Sequence, residues 1–279
     1  MSFSLLIAAL STFSLVHSCA DHTGLQNSNF IKRQEVSSTN PSHITTDWAY
    51  DASYNWGAIQ EGYATCQSGT QQSPIPLSAK YGLSRYHLPT FSGYDKEISG
   101  SWGNWGYGPA FNLTTPENND YSSNPAVHWD NEVAYLKGWH LHAPADHPVD
   151  GLRSRAEVHL VHVDNEGHEK AVLAIRLDPG TGSPPFFSSL PPMVSFRDPT
   201  PTDAKMVMEP LLESVHHFNE FWTYRGSLTS PPCKEGIRWF VAGIVAYTSA
   251  DQMQAILGNS TFSAREEQQI WLHEVNGGS

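Results

Sequence analysis

The sequence predicts a single domain of the α+β class that is mainly β, built on a large, mostly antiparallel, twisted central β-sheet with a few short peripheral helices. Three observations indicate this class. Short runs rich in β-branched residues recur along the chain, helical periodicity is confined to two segments, and no internal repeat or low-complexity linker divides the sequence. A chain of 279 residues, 39% of them hydrophobic and 16% charged, can bury one sizeable core.

The strands are clearest in the second half of the chain. Residues 157–163 and 171–177 are two β-branched-rich runs joined by the turn-forming sequence DNEG, so we expect a β-hairpin. The apolar run 237–247 (IRWFVAGIVAY) is typical of a central strand that is buried on both faces. Helices are predicted at 204–221 and around 251–257, and the proline-rich segment 179–201 is expected to be a connection.

The first 20 residues are typical of a secretory signal peptide. Their apolar run ends in the small residues Ser18-Cys19-Ala20, although the usual basic start is missing, and a buried N-terminal helix is the alternative. Residues 21–42 are then expected to be a propeptide or a disordered segment, in which Lys32-Arg33 is either a processing site or a chance pair. The folded domain is expected at 43–279. No other segment has the ~20 apolar residues of a membrane span.

The net charge and the number of cysteines limit the partners and the cellular compartment expected for the protein. The net charge of -12 argues against nucleic acid or an anionic membrane as a partner. Loss of the signal peptide would leave Cys66 and Cys233 as an even pair in an oxidising route, which favours a disulfide over two free thiols. Asn112 and Asn259 begin Asn-X-Ser/Thr sequons and are glycosylation candidates. A secreted, extracellular glycoprotein is expected.

Five histidines lie within residues 139–162 (WHLHAPADHPVDGLRSRAEVHLVH). Alternate side chains of a strand face the same way, so His140 and His142 project together. On the following strand, His159 shares a face with Glu157, whereas His162 lies on the opposite face among apolar neighbours. The pattern predicts that His162 is structural.

The other three histidines are predicted to share one site. His140, His142 and His159 would bind Zn²⁺ and leave its fourth tetrahedral position open for water. Glu157 would then fix the tautomer of one ligand by accepting a hydrogen bond from its other ring nitrogen. Each of these histidines alone is as readily explained by a structural role, and the prediction depends on their combination.

Several motifs in a fixed order carry a resemblance to a known family. They are Gln72-Ser73-Pro74-Ile75, Gly108 to Asn112 (GPAFN), the His-Leu-His run, Ala156 to His162 (AEVHLVH), Ala171-Val172-Leu173 and Tyr224 to Pro232 (YRGSLTSPP). The sequence resembles an α-class carbonic anhydrase of the secreted, eukaryotic or fungal type over residues 48–247. The last motif is highly specific, so chance similarity is excluded in practice.

The resemblance implies reversible hydration of CO2 to bicarbonate and a proton by a hydroxide held on zinc. The family's zinc ligands match His140, His142 and His159, its supporting glutamate matches Glu157, and the disulfide of its secreted members matches Cys66 and Cys233. Its threonine that orients the hydroxide matches Thr229, and that threonine's carboxylate partner matches Asp146. The apolar CO2 pocket matches Val161, Val172, Leu228, Ile237 and Trp239. Sulfonamides and small anions are the expected inhibitors.

Four departures from the family's pattern bear on activity. Asp146 replaces a glutamate and is one methylene shorter, so it must be brought closer by the backbone or act through a water. Pro109 stands where the family's usual proton-carrying histidine stands, and His128 or His147 would have to substitute for it. Gly138 replaces a glutamine that orients the first ligand. The chain also closes (QQIWLHEVNGGS) without the family's N-x-R-P-x-Q-P segment, which removes a ligand-orienting asparagine.

Two other functions compete with a secreted carbonic anhydrase. One is a catalytically weak or inactive carbonic-anhydrase-like extracellular binding protein, although such relatives typically lack a ligand histidine. The other is a different zinc hydrolase such as an esterase, which would want a general base like the glutamate of H-E-x-x-H, and the sequence has no such motif. The sequence leaves the oligomeric state open.

Overall fold

The computed structural model describes residues 47–116, 118–182, 184–197 and 200–277. The expected signal peptide, the expected propeptide or disordered segment and the Lys32-Arg33 pair lie outside these described residues. Within the described part of the chain, no helix is both long enough and apolar enough to cross a membrane.

Eleven strands and four short α-helices are present in the described residues. The strands are β1 (Thr90–Ser92), β2 (Glu97–Asn104), β3 (Pro109–Leu113), β4 (Ala126–Trp129), β5 (Glu132–His142), β6 (Ala156–Val163), β7 (Glu169–Pro179), β8 (Thr202–Val207), β9 (Phe221–Ser227), β10 (Glu235–Ala242) and β11 (Ala246–Thr248). The helices are α1 (Thr65–Ser68), α2 (Pro185–Ser189), α3 (Glu209–Glu213) and α4 (Ala250–Gly258). Short 3₁₀ segments lie at Tyr50–Ala58, Glu61–Tyr63, Ala79–Tyr81, Tyr121–Ser123 and His216–Phe218.

All eleven strands join one sheet. Its main path runs β8-β2-β3-β5-β6-β7-β10-β9, with β4 on β5, β1 on β4 and β11 on β7. Only the pairings of β7 with β10 and with β11 are parallel among these strands. The predicted mainly β domain with a mostly antiparallel sheet is therefore confirmed, and β5 and β6 lie at its centre.

The predicted hairpin is formed by β6 and β7. In its turn, the Asp164 carboxylate accepts hydrogen bonds from the backbone N–H groups of Glu166 and His168. Gly167 adopts a φ of 92°, which glycine tolerates because it has no Cβ to clash with the backbone. The sequence DNEG forms the turn because it supplies both the local acceptor and the left-handed residue.

The helix predicted over 204–221 is wrong in its first part. Residues 202–207 form the edge strand β8, in which Met206 is buried while Lys205 and Val207 are exposed, the two-residue period of a strand. The α-helix α3 begins only at Glu209 and has Pro210 in its first turn. Pairing with the free edge of β2 overrides the weak local helical preference.

The single long strand predicted over 237–247 is also wrong, because the run divides into β10 and β11. Gly243 donates its N–H to the Glu220 carbonyl at 2.7 Å. The Arg176 guanidinium donates to the carbonyl groups of Ala242 and Gly243, at 3.4 and 2.8 Å. These hydrogen bonds satisfy the backbone groups where β10 ends. The sequence gives no sign of this break, because residues 242–244 are all apolar or glycine.

The helix predicted around 251–257 is confirmed as α4. Ser249 accepts a hydrogen bond from the Gln252 N–H at 3.2 Å, and the Gln252 side chain returns to the Ser249 N–H, so the helix begins with a capping box. The proline-rich connection contains the one-turn helix α2.

The two faces of the sheet have different roles. One face carries the main hydrophobic core, where Val158 and Leu160 of β6 pack with Phe186 of α2 and Ile256 of α4. The opposite face carries a second cluster, consisting of Ile75, Leu77, Val172, Ala174, Trp222, Tyr224, Ile237, Trp239 and Val241. Because side chains alternate, β6 presents Glu157 and His159 on this second face.

The predicted disulfide is confirmed. Cys66 of α1 is bonded to Cys233, with a Cα–Cα distance of 5.0 Å. Both cysteines are buried in a cluster with Tyr50 and Trp56. The bond ties α1 to the loop that follows Thr229, and a cross-link between segments this far apart in sequence stabilises the fold mainly by restricting the unfolded chain.

Candidate metal centre

The register between β5 and β6 brings the three predicted ligands together. His140 lies directly opposite His159, and His142 lies opposite Glu157. The ring centroids are 4.9 Å apart for His140 and His142, 5.4 Å for His140 and His159, and 4.3 Å for His142 and His159. One ring nitrogen of each lies within 4.8 Å of the others. The three side chains therefore converge on a single point.

Hydrogen bonds determine which nitrogen of two of these histidines is free. Nδ1 of His142 is 2.6 Å from the Ser263 carbonyl oxygen, which can only accept, so Nδ1 carries the proton. Nε2 of His159 donates to Glu157 Oε1 at 2.7 Å. The lone pairs of His142 Nε2 and His159 Nδ1 remain available, and His140 Nε2 is 3.0 Å from His142 Nε2.

Burial favours the neutral form of two of these imidazoles. It lowers the pKa of His140 well below its ordinary value, and electrostatic repulsion from the neighbouring imidazoles of His142 and His159 lowers it further. Burial lowers the pKa of His142 to about 4, with the charge of Asp146 opposing the shift. Only a neutral imidazole can bind a metal ion. Three converging imidazoles would fit Zn²⁺ in the arrangement that leaves one coordination position open.

Glu157 is the centre of a buried chain of hydrogen bonds. Besides His159, it accepts from Nδ1 and the backbone N–H of His147 at 2.6 and 2.9 Å. His147 Nε2 is 2.7 Å from the Tyr224 hydroxyl, which donates to Ser73 Oγ. Burial would raise the pKa of Glu157, but electrostatic attraction to His147 and hydrogen bonds from His147 and His159 hold it well below its usual value. The ionised carboxylate is thus fixed on both sides.

Asp146 and Thr229 are both buried beside the histidines. Asp146 Oδ1 accepts from the Arg265 N–H at 2.7 Å, and Oδ2 is 3.5 Å from His142 Nδ1. Within the described residues Oδ2 has no hydrogen-bond partner, and no direct bond joins Asp146 to Thr229. The Tyr50 hydroxyl lies near Thr229, and its pKa is raised well above its usual value by burial and by the charge of Asp146. The backbone therefore does not bring Asp146 close enough to Thr229 to make up for the side chain being one methylene shorter than glutamate.

Residues 263–265 support the histidine cluster and the segments around it. Ser263 holds His142 through its carbonyl oxygen, and its Oγ accepts from the Ala143 N–H. The buried Arg265 guanidinium donates to the carbonyl groups of Ser73 and Cys66, both within 2.9 Å. Burial lowers the pKa of Arg265 to about 10. The sequence signal for Arg265 is a partial match of residues 263–268 (SAREEQ) to the N-x-R-P-x-Q-P segment, with the arginine and the glutamine at the same spacing.

An apolar wall lies beside His159. It includes the five predicted pocket residues, Val161, Val172, Leu228, Ile237 and Trp239. Val161, Val172 and Trp239 are successive cross-strand neighbours on β6, β7 and β10. The Trp239 ring is 4.9 Å from the His159 ring. Ile237 is fully buried, and Leu228 packs against the same cluster.

Three further histidines considered in the sequence analysis, His128, His147 and His162, lie outside the converging triad. His162 is buried on the opposite face, where Nε2 is 2.5 Å from the Tyr94 hydroxyl, as expected for a structural histidine. His147 is fully buried and held by Glu157. His128 lies opposite Val133, seven residues before His140 along β5 and so about 23 Å away. Neither of the two candidate proton carriers therefore replaces the histidine absent at Pro109.

The two sequons lie at different places. Asn112 is exposed on β3 opposite Gly138, on the face that carries His140. Asn259 is half-buried at the end of α4, where its Nδ2 donates to the Ala255 carbonyl at 2.8 Å. Glycosylation at either position stays a prediction.

The fold and the site define a mainly β protein in which three histidines converge, and the comparisons identify its family. The family model described as eukaryotic-type carbonic anhydrase matches residues 51–275, so the chain belongs to the α-class carbonic anhydrase family.

Individual relatives agree with this assignment. A carbonic anhydrase of Klebsiella pneumoniae is 30% identical over 200 residues, which cover 70% of this chain and 75% of the relative. Dioscorin dioA3 of Dioscorea japonica is 29% identical over 218 residues, 76% of each chain. The α-carbonic anhydrase of Thermovibrio ammonificans, solved with the inhibitor sulfanilamide, has a TM-score of 0.64 at 24% identity and covers 82% of this chain and 96% of its own. These relatives are bacterial and plant proteins, so they do not distinguish a fungal type.

The buried His162 makes folding stability sensitive to acid. Burial lowers its pKa to about 3, whereas the unfolded chain has the ordinary value near 6.5. Between these values only the unfolded state binds the proton, so the stabilising contribution is complete above pH 6.5 and is lost as the pH falls toward 3. In metal-free protein, His162→Gln should reduce the slope of unfolding free energy against pH by up to about 1.4 kcal/mol per unit. Urea titrations from pH 4 to 7 measure this; equal slopes would contradict it.

Proposed function

We propose that this protein is a zinc-dependent carbonic anhydrase that catalyses the reversible hydration of CO2 to bicarbonate and a proton. The observation that carries the proposal is the convergence of three histidines, with Ser263 and Glu157 directing the free nitrogens of two of them toward one point. Bound Zn²⁺ would lower the pKa of water to about 7 and so supply hydroxide near neutral pH.

The protein's own residues then have separate tasks. His140, His142 and His159 hold the metal, and Glu157 fixes the orientation of His159. CO2 is uncharged and nearly apolar, so it requires a surface without competing polar groups beside the metal. The wall formed by Val161, Val172, Leu228, Ile237 and Trp239 provides this surface, since it lies directly against His159.

Thr229 is assigned the orientation of the nucleophile. Its hydroxyl would accept a hydrogen bond from the attacking oxygen and would donate its own hydrogen bond in the direction of Asp146. Because no direct bond joins Thr229 to Asp146, we assign the gap to one water that donates to the unpartnered Asp146 Oδ2. A threonine that donates to this water keeps its lone pairs directed toward the nucleophile.

The alternative is a catalytically weak or inactive extracellular binding protein of the same family. Two observations favour it: the incomplete contact between Thr229 and Asp146, and the lack of a suitably placed proton carrier at Pro109. The intact histidine triad favours the enzyme, because a binding protein has no need of three converging imidazoles.

Secretion and inhibitor binding follow from the same proposal. The Cys66–Cys233 disulfide suits an oxidising compartment, and the expected signal peptide would direct the chain there. Sulfonamides and small anions should bind at the open metal position, as the sulfanilamide complex of the Thermovibrio ammonificans relative suggests. No role is assigned to nucleic acid or membranes, in view of the charge of -12.

The decisive test is CO2 hydration measured by stopped flow on protein of known metal content. We expect one zinc per chain and rapid hydration. His159→Ala should lose zinc on dialysis against a chelator, because two imidazoles remain. His162→Ala is the matched control, since it removes a histidine three residues away on the opposite face and should retain zinc. Full zinc content without hydration would favour the binding protein, and full zinc content in His159→Ala would refute the ligand assignment.

Thr229→Ala should slow hydration by on the order of 10²-fold while zinc remains bound, because one orienting hydrogen bond at the reacting centre is lost. Thr229→Ser keeps the hydroxyl and should retain most of the rate. The measurement is kcat/KM for CO2 together with zinc content. An alanine variant as fast as the original protein would show that Thr229 does not orient the nucleophile.

Proton release should limit turnover. After bicarbonate leaves, a proton must reach solvent, and a histidine with a pKa near 6.5 is suited to carry it. With Pro109 at the usual position, kcat should rise strongly with imidazole-type buffer from a few to ~100 mM, while kcat/KM stays nearly constant. Pro109→His should raise kcat at low buffer. High turnover that does not change over this buffer range would mean that another carrier exists.

A further inference from the structure

The loop between β2 and β3 lies against the strand that carries two of the ligands. This loop, residues 105–108 (WGYG), is closed by a hydrogen bond from the Trp105 N–H to the Gly108 carbonyl at 3.0 Å. Gly106 has a φ of 100°, a conformation that other residues rarely adopt. A Cβ added to Gly108 would lie 2.5 Å from the Leu141 carbonyl oxygen. Both glycines are therefore required for the loop to approach Leu141 so closely.

The loop places the Trp105 indole on the ligand rings. Its centroid is 4.9 Å from the His140 ring and 5.1 Å from the His142 ring. Its Nε1–H donates to the carbonyl oxygen of Leu141, the residue between the two ligands, at 3.1 Å. The indole is thus attached to the same strand segment whose side chains it covers.

Other aromatic side chains support the indole from behind. The Tyr107 ring is 5.0 Å from that of Trp105, and the Tyr50 ring is 4.9 Å from that of Tyr107. The Tyr107 hydroxyl donates to the Trp48 carbonyl oxygen at 3.0 Å, and the Trp48 and Tyr107 rings are stacked. A side chain packed in this way has little freedom to rotate away from the histidines.

His140 is the ligand with the least support from hydrogen bonds. Ser263 holds His142 and Glu157 holds His159, but within the described residues His140 hydrogen-bonds only to the His142 ring. The position two residues before it is Gly138, which has no side chain to offer. Rotation of the His140 ring must therefore be restricted by packing.

We propose that Trp105 is a positioning residue for the metal centre, which orients His140 and, more weakly, His142 by contact of its indole with their rings. This inference rests on the proposed zinc site. A ring already held in its binding orientation loses less conformational freedom when the metal binds, so the affinity is higher. A hydrogen-bonding side chain at position 138 could hold the His140 ring in place. Because that position is Gly138, packing against the indole holds the ring instead.

The test measures metal affinity rather than activity. Trp105→Leu removes the indole, Trp105→Phe keeps a ring without the N–H, and Trp271→Leu is the matched control because Trp271 is 64% exposed. Zn²⁺ affinity is measured by competition with a chromophoric chelator, and ligand geometry by the visible absorption of the Co²⁺ form. Thermal unfolding of the metal-free proteins verifies folding. We expect zinc affinity to fall about tenfold or more in Trp105→Leu, less in Trp105→Phe and not at all in Trp271→Leu.

The outcomes separate this inference from the proposed function. If the original protein binds zinc tightly and folded Trp105→Leu has the same affinity and the same Co²⁺ spectrum, Trp105 has no positioning role although the zinc site stands. If the original protein binds no zinc, the zinc site itself is wrong. Should Trp105→Leu fail to fold, Trp105→Phe decides: affinity equal to that of the original protein overturns the inference, and weaker affinity with a changed Co²⁺ spectrum supports it.

Discussion

The structure depends on the pairing of β5 with β6. Their register sets His140 opposite His159 and His142 opposite Glu157, so the three imidazoles and the supporting carboxylate follow from one alignment. A shift of one residue would turn every side chain of a strand to the other face, placing Leu141 or Leu160 in the site and the histidines in the core. The large hydrophobic core on the far face opposes such a shift, because the shift would expose apolar side chains. Packing on one face of the sheet therefore fixes the positions of the histidines on the other.

Around this alignment, buried polar groups are held by partners from distant parts of the chain. Glu157 is joined through His147 and Tyr224 to Ser73, and Arg265 reaches the carbonyl groups of Ser73 and Cys66. Burying charges is costly unless they are hydrogen-bonded. These bonds therefore stabilise the fold and orient the site together.

The strand periodicity predicted the site well because it is a local property. Alternation alone grouped His140 with His142, placed His159 with Glu157 and excluded His162. It failed at 202–207 and at 243, where the deciding contacts are an edge of β2 and the bonds from Glu220 and Arg176, which are distant in sequence. The support from Ser263 and Arg265 was missed because residues 263–268 (SAREEQ) match the N-x-R-P-x-Q-P segment only at the arginine and the glutamine.

The sequence by itself determined the mainly β class, the disulfide pair and the family, and it picked out the three histidines that converge, because alternation, composition and motif order can be read along the chain without knowing its fold. Only the tertiary structure decided how the ligands are held. Four features depend on where separate segments meet: the backbone oxygen of Ser263, the hydrogen-bond network around Glu157, the unpartnered Oδ2 of Asp146, and the packing of Trp105 on His140. Such positions result from the packing of the whole sheet and its loops, which no local pattern encodes.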